Sequence, residues 1–382
     1  HLRATAYGNR DLTYLNDLDR QIGSKPAETH DRTDTLGGTL DWRRVVRPWL
    51  TLSGVFDTRY DQFCPSDAMS SGGAPATRLF GATGVESDFW MQPIHFNVIA
   101  SLRLEAAREE TSGRDYFDKF LPTSGPVNHV LPVARLSLVK ELAGSLSLRA
   151  NGGRYARLPS TSELYGNTGY VLGNAALKPE SGLNVDVGPL VSWKRGASRV
   201  HWSTAAFASL VSDLIQYELV GGGRTRPRNY GSARILGVES DATVELGRHA
   251  RVVAAGTFTD ARNTSPAESE NGRQLPLRPR YRLYGRPEWR AVDVGPRIAL
   301  GFYAEVDATA GNYLVPANTV EVPARVLFGA GIYAELPGNF CLRASGQNLS
   351  NAAIYDMTGY PLPGREVYLT LAWSTANNKP KE

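Results

Sequence analysis

The sequence has little cysteine, no long apolar run and no strong excess of either charge, and each shortage removes a class of protein. Cys64 and Cys341 are the only cysteines in 382 residues, too few for a disulfide scaffold. The strand pattern read below puts them at opposite ends of their strands, so they are not expected to pair. No window holds 18 consecutive apolar residues, which excludes a transmembrane helix. It does not exclude a membrane barrel, whose strands are only half apolar and average out as mildly polar.

The charge balance is 42 Lys+Arg against 38 Asp+Glu, a formal +4. The basic residues form no stripe, so nucleic acid is not an expected partner. The six histidines, His1, His30, His95, His129, His201 and His249, are scattered without ligand spacing. There is no Gly-x-Ser-x-Gly elbow and no phosphate-binding loop. An enzyme is therefore disfavoured, and no catalytic residue, metal ligand or cofactor is expected. The chain opens on His1-Leu2-Arg3 with neither Met nor a secretory leader, which reads as a processed protein or part of a longer one.

Helical periodicity is almost absent, and period-two alternation recurs instead. Ile298, Leu300, Phe302, Ala304 and Val306 interleave with Ala299, Gly301, Tyr303, Glu305 and Asp307. Val98, Ala100, Leu102, Leu104 and Ala106 do the same, as do Phe340, Leu342, Ala344 and Gly346. The pattern predicts an all-β protein of about 16 antiparallel strands, many of about 10 residues or more, the length of a tilted membrane crossing. Several apolar rows end in Trp42, Trp193, Trp202 or Trp373, as expected of rings at headgroup level. The opposite rows carry Arg, Glu, Asp, Thr and Ser, which suits a polar lumen and also the solvated face of a sandwich.

Loop length breaks that tie. Short connections are expected near 45–47, 93–95, 141–144, 195–197, 247–249, 293–296 and 337–339. Long Gly-, Pro- and aromatic-rich ones are expected over 10–30, 65–77, 112–129, 160–179, 220–231, 263–278, 310–322 and 350–364. Strict short–long alternation is the layout of an outer-membrane barrel, with short periplasmic turns and long outer loops. In this phase both ends of the chain are periplasmic.

The stretch NLSNAAIYDMTGYPLPGREVYLTLAW, residues 348–373, resembles the C-terminal hairpin of TonB-dependent outer-membrane receptors. The matching residues are Asn348, Leu349, Tyr355, Gly359, Tyr360, Pro361, Pro363, Gly364 and Arg365, followed by a strand ending on an aromatic. RYARLPSTSELYG (154–166), GNAALKPESGLNVDVG (173–188), RNYGSARILGVESDATVEL (228–246) and LPLRPRYRLYGRPEW (275–289) resemble further family segments in the family's order. The chain departs from the family by running past Trp373 to Glu382, which reads as a periplasmic tail over 374–382 after a barrel over 1–373.

The resemblance implies a transmembrane β-barrel that is the C-terminal part of one with about 22 strands. It also implies binding of a scarce siderophore-, cobalamin- or other chelate-like solute at the outer loops, and a TonB contact through a plug not in this chain. About six strands and the plug are then missing. The chain either pairs with missing N-terminal strands, the preferred reading, or closes on itself. Loop residues suited to stacking or anion contact are Tyr116, Phe117, Phe120, Tyr165, Tyr170, Arg224, Arg226, Arg228, Tyr313, Tyr355 and Tyr360. GGGRTRPRNY (221–230), the most basic loop, suits an anionic chelate or the phosphates of lipopolysaccharide. Outer-membrane lipid and other envelope proteins complete the expected partners. Two other functions remain open: a plug-less structural subunit or conduit of an envelope-spanning complex, and a passive porin.

Overall fold

The computed structural model describes residues 1–19, 27–64, 76–110, 125–168, 171–220, 224–266, 269–295, 298–357 and 360–374. The expected tail beyond Ser374 lies outside the described residues. Sixteen long strands follow one another: β1 (Leu2–Asp17), β2 (Ala27–Arg47), β3 (Leu50–Cys64), β4 (Ala76–Met91), β5 (Phe96–Glu110), β6 (Val127–Ala143), β7 (Leu146–Arg157) and β8 (Glu180–Arg195). Then come β9 (Ser198–Leu219), β10 (Thr225–Leu246), β11 (Ala250–Asn263), β12 (Tyr281–Gly295), β13 (Ile298–Ala310), β14 (Arg325–Leu336), β15 (Phe340–Gln347) and β16 (Glu366–Trp373). Each pairs antiparallel with its sequence neighbours in one continuous sheet.

The sheet has two free edges among the described residues. β1 pairs only with β2, and β16 only with β15. The exposure of β16 follows from this: Val367 and Leu369 are 76% and 77% accessible, against 55% for Leu183 and 64% for Ile332 on interior strands. In hydrocarbon, an edge of unpaired N–H and C=O groups costs several kcal/mol per group.

Strands run further than the sequence pattern indicates. β1 reaches Asp17 and β2 resumes at Ala27, so much of the loop expected over 10–30 is ladder. β10 starts at Thr225, not after 231. Val45 and Arg47 belong to β2, whose turn is at Pro48 and Trp49, and Glu141 to Ala143 belong to β6. Both places carry a register shift, between Val45 and Arg47 and between Glu141 and Ala143, so a bulge interrupted the alternation there. Cys64 ends β3 at a long loop and Cys341 is the second residue of β15, after a short turn. Both are free thiols, as expected.

The alternation divides the wall into two faces. Leu36, Phe56, Leu102, Leu183, Phe302 and Ile332 point outward and are more than half exposed. A globular protein would bury them; a barrel wall gives them to lipid. The inward rows hold a salt-bridged lattice. Glu288 accepts from Arg290 Nε at 2.8 Å and from the Tyr333 hydroxyl at 3.1 Å. Arg286 lies over the Tyr303 ring, 3.8 Å from its centroid. Arg103 joins Glu105 at 2.7 Å and Asp57 at 3.6 Å.

Aromatic rings on glycine fix the register within this lattice. Gly301 pairs with Tyr333 and Tyr303 with Gly331 across the β13–β14 ladder. Each ring lies over the facing glycine, so a Cβ at Gly331 would come within 2.6 Å of the Tyr303 ring. Tyr7 on Gly37 and Phe207 on Gly237 repeat the device. A one-residue slip would put each ring on the lipid side. We expect Gly331→Val to force Tyr303 off its seat and cost about 1–3 kcal/mol, the usual penalty of overpacking. A lower unfolding temperature in heat-modifiability electrophoresis would report it, and an unchanged one would contradict the packing role.

Candidate functional site

The long connections lie at one end of the sheet and are tied into a rim. The first tie is the segment 158–179 after β7. Its five-residue helix α1 (Thr161–Tyr165) is started by Ser160, whose Oγ accepts from the Glu163 amide at 3.2 Å, while Glu163 accepts from the Ser160 amide at 2.7 Å. This reciprocal cap satisfies two of the helix's free donors. Glu163 also takes Arg157 Nη1 at 2.8 Å. The helix lays Tyr165 on Phe63 of β3, ring centroids 5.3 Å apart and nearly parallel. Arg78 of β4 donates to the Pro159 carbonyl at 2.5 Å and pairs with Glu109 at 2.6 Å. Segment 166–168 lies against β1 and β2. A loop leaving β7 thus touches β1 to β4.

The second tie is an arm made by the tops of β9 and β10. Asp213 has φ +53° and faces Gly231. Alternation resets there, so Val211 and Leu214 enter one buried cluster, together with Tyr230, Ala233, Ala261 and Leu275. Pairing continues from Leu214–Tyr230 up to Leu219–Thr225. The arm is covered on both faces. On one, Ile215 packs with Leu164 and Leu177 of the 158–179 segment, and Asn174 Nδ2 donates to the Pro227 carbonyl at 2.9 Å. On the other, Gln216 donates to the Pro276 carbonyl and Leu275 is fully buried.

Two asparagines lock neighbouring loops in the same manner. Asn229 accepts from the Lys178 amide at 2.8 Å and donates to the Lys178 carbonyl at 3.0 Å. Asn318 accepts from the Gln274 amide at 2.8 Å and donates to the Gln274 carbonyl at 2.8 Å. Each side chain reads one residue's backbone as a strand neighbour would. Leu277 N–H to the Tyr313 carbonyl at 2.8 Å adds to the second junction. The last long connection, 348–365, is organised on Asn348, which exchanges two 2.9 Å bonds with Ala352.

The expected site residues fall into three groups. Tyr116, Phe117, Phe120 and Tyr170 lie outside the described residues. Tyr165, Arg226 and Arg228 are engaged in structure. Tyr165 is stacked on Phe63, and burial, reinforced by Glu109, raises its hydroxyl pKa above the ordinary value. Arg226 and Arg228 stand on a strand, not in a loop. Arg226 is paired opposite Glu218, and Arg228 reaches Glu218 at 3.3 Å and lies over the Tyr230 ring at 4.7 Å. The arm's Glu218 offsets part of the basic charge the sequence concentrates there. Arg224 is half-buried at the arm's tip, Tyr313 is half-buried in the short strand Asn312–Tyr313, and Tyr355 is exposed on Tyr355–Met357, which pairs with Tyr360–Pro361. Sequence reasoning missed Arg278, a loop cation whose pKa is depressed by burial while Glu180 and Tyr155 raise it. It missed Asn229 and Asn318 as well. Only the Ser-x-x-Glu cap had a local signal.

Comparison with known proteins agrees with this architecture. Residues 2–349 match the family described as TonB dependent receptor-like, beta-barrel. Among solved structures, the copper transporter OprC superposes with a TM-score of 0.78 at 17% identity, covering 97% of this chain and 62% of its own. The ferric yersiniabactin uptake receptor FyuA from Yersinia pestis gives 0.70 at 12%, with 97% and 56% covered. The ferric citrate transporter FecA gives 0.74 at 13%, with 96% and 58% covered. The chain therefore spans about three fifths of the length of the structures it matches. Nearly all of it answers to one family and folds as that family's barrels do: the chain belongs to the TonB-dependent receptor-like β-barrels, outer-membrane proteins of the Gram-negative envelope and not enzymes.

Proposed function

We propose that the intact protein captures a scarce solute, a siderophore-, cobalamin- or other chelate-like compound, within this rim and releases it inward with energy from the TonB complex. The observation that supports this reading is a loop rim held fixed over a charged lumen by the two asparagine locks and the doubly covered arm. A preorganised vestibule loses less conformational entropy on binding than a set of free loops. The names of OprC, FyuA and FecA, a copper transporter, a ferric yersiniabactin receptor and a ferric citrate transporter, point the same way.

In this proposal Arg224, Tyr313 and Tyr355 contact the solute, together with Tyr116, Phe117, Phe120, Tyr170 and Tyr360. Tyr165, Arg226 and Arg228 hold the rim in place. About six further strands join the free edges of β1 and β16, and a plug elsewhere in the protein meets TonB. Residues 1–373 form one barrel unit, with 374–382 in the periplasm and lipopolysaccharide around the outer face.

The test is growth of cells whose only uptake route is this protein, on a panel of ferric siderophores, copper and cobalamin. We expect at least one to support growth, and only with an active TonB complex. Growth independent of TonB, or high steady conductance of the full-length protein in planar bilayers, would favour a passive porin. Binding of no solute, with co-purification of an envelope complex, would favour a scaffold. For the solute found, Tyr355→Ala and Arg224→Ala should weaken binding about tenfold, and loss of the exposed Tyr355 should do so without shifting the unfolding temperature.

The locks give a separate expectation. Asn229→Ala and Asn318→Ala each remove the two bonds of a lock, worth about 1 kcal/mol apiece, together with a third to the Asp213 or Val315 carbonyl. Hydrogen exchange should rise at 174–179 for the first and 272–278 for the second, while β3 to β6 stay protected. Uniform protection in both variants would show that the asparagines do not hold the rim.

A further inference from the structure

We propose that the outer wall over β6 to β11 carries a built site for a phosphorylated, multiply acylated lipid of the outer leaflet, centred on Arg154. Arg154 stands in an outward row of β7, after Leu148, Ala150 and Gly152. Its ladder partners are Ala134 and Leu183, both outward and apolar. Its guanidinium donates to the Pro132 carbonyl, and among the described residues no carboxylate lies within ion-pair distance of it. An arginine on the lipid side is costly at the bilayer midplane and tolerated near the interface. Its placement needs an anion or the interface, and the surrounding rows put it at the edge of the apolar band among further cations and hydroxyls.

The apolar band ends beside it. On β8 the outward row changes from Leu183 to Ser181, and on β9 from Leu210 to Ser212. Register pairing puts Arg154, Leu183, Leu210, Arg234 and Arg262 in one lateral row across β7 to β11. Arg234 and Arg262 share Asp260, at 3.8 and 2.9 Å. The row therefore carries three guanidiniums against one carboxylate. Arg154 and Arg234 are three strand spacings apart, about 14 Å. The next row outward is of hydroxyls: Ser181 pairs with Ser212, Ser212 with Ser232, and Thr264 Oγ1 bonds Ser232 Oγ at 3.1 Å.

Three surface hollows meet at Arg154. One of about 330 Å³ lies between Arg154 and the hydroxyl row, lined by Ser181, Ser212, Ser232 and Thr264. Two others, about 610 and 370 Å³, run away under the apolar rows of Val85, Leu102, Leu104 and Leu136, where Ala134 and Gly152 leave the wall low. Guanidinium and hydroxyl donors around one hollow, with two apolar grooves leading off it, match a phosphate headgroup above acyl chains. A free anion has no use for the grooves, and an uncharged lipid has none for the row of arginines. In the basic stretch 221–230, the other place suited to such phosphates, Glu218 already pairs with Arg228. The inference rests on the outer-membrane placement and not on the transport reading, and its test involves no transported solute.

Native mass spectrometry of the full-length protein in detergent tests it, with lipid A, enzymatically dephosphorylated lipid A and inorganic phosphate as probes. We expect lipid A to be retained at least tenfold better than its dephosphorylated form, and inorganic phosphate not to compete at equal concentration. Arg154→Gln should abolish most of that preference, Arg154→Lys should keep part of it, and Ser181→Ala with Ser212→Ala should reduce it severalfold. Heat-modifiability electrophoresis identifies folded variants. If Arg154→Gln fails to assemble, the wild-type preference and the serine variants still decide. Equal retention of the two lipids, full competition by inorganic phosphate, or an unaltered preference in folded Arg154→Gln would each overturn the site.

Discussion

Backbone pairing in a medium without water is the constraint from which the rest of this structure follows. Hydrocarbon offers no partner to an N–H or a C=O, so each strand must take both neighbours or leave an edge exposed at several kcal/mol per group. Among the described residues, fourteen of the sixteen long strands have two long neighbours, and the two that do not are the first and the last. The inward lattice of Glu288, Arg290 and Tyr333 and the outward rows of leucine are what a sheet with a wet side and an oily side permits.

The fold was legible because period two survives averaging over many strands. Val98 to Ala106 and Ile298 to Val306 show it without interruption: the first pairs regularly with β4, and the second pairs regularly with β14 from Ala299 on, while the bulges of the β12–β13 ladder fall on the β12 side. Boundaries were less legible, for two physical reasons. A bulge such as that between Val45 and Arg47 breaks the alternation, so a strand end reads as a turn. An alternation reset such as that at Asp213 does the same: Leu214 to Leu219 and Thr225 to Tyr230 are paired strand, yet Gly221 to Gly223 and Pro227 make the stretch look like a loop.

The rim was the least legible part, because its order comes from contacts between loops far apart in sequence. Nothing around Asn229 or Asn318 announces that each will clasp a backbone 51 or 44 residues away. Nor does the composition of 221–230 reveal that Glu218 answers part of its basic charge. Aromatic and arginine content marked the right end of the barrel, but which of those side chains remain free is decided by packing. Tyr165 and Tyr355 look alike as loop tyrosines. One ends α1 and is stacked on Phe63, and the other stands exposed.

The paired locks bear on how such a protein can diversify. Because Asn318 holds Gln274 and Asn229 holds Lys178, adjacent outer loops are mechanically coupled in pairs. Because both bonds go to main-chain atoms, exchanging 264–280 while leaving 311–324 in place keeps the lock only where the new loop brings a backbone N–H and C=O to the place of Gln274, so recombination that alters ligand preference has to preserve that backbone path or move both loops of a couple at once.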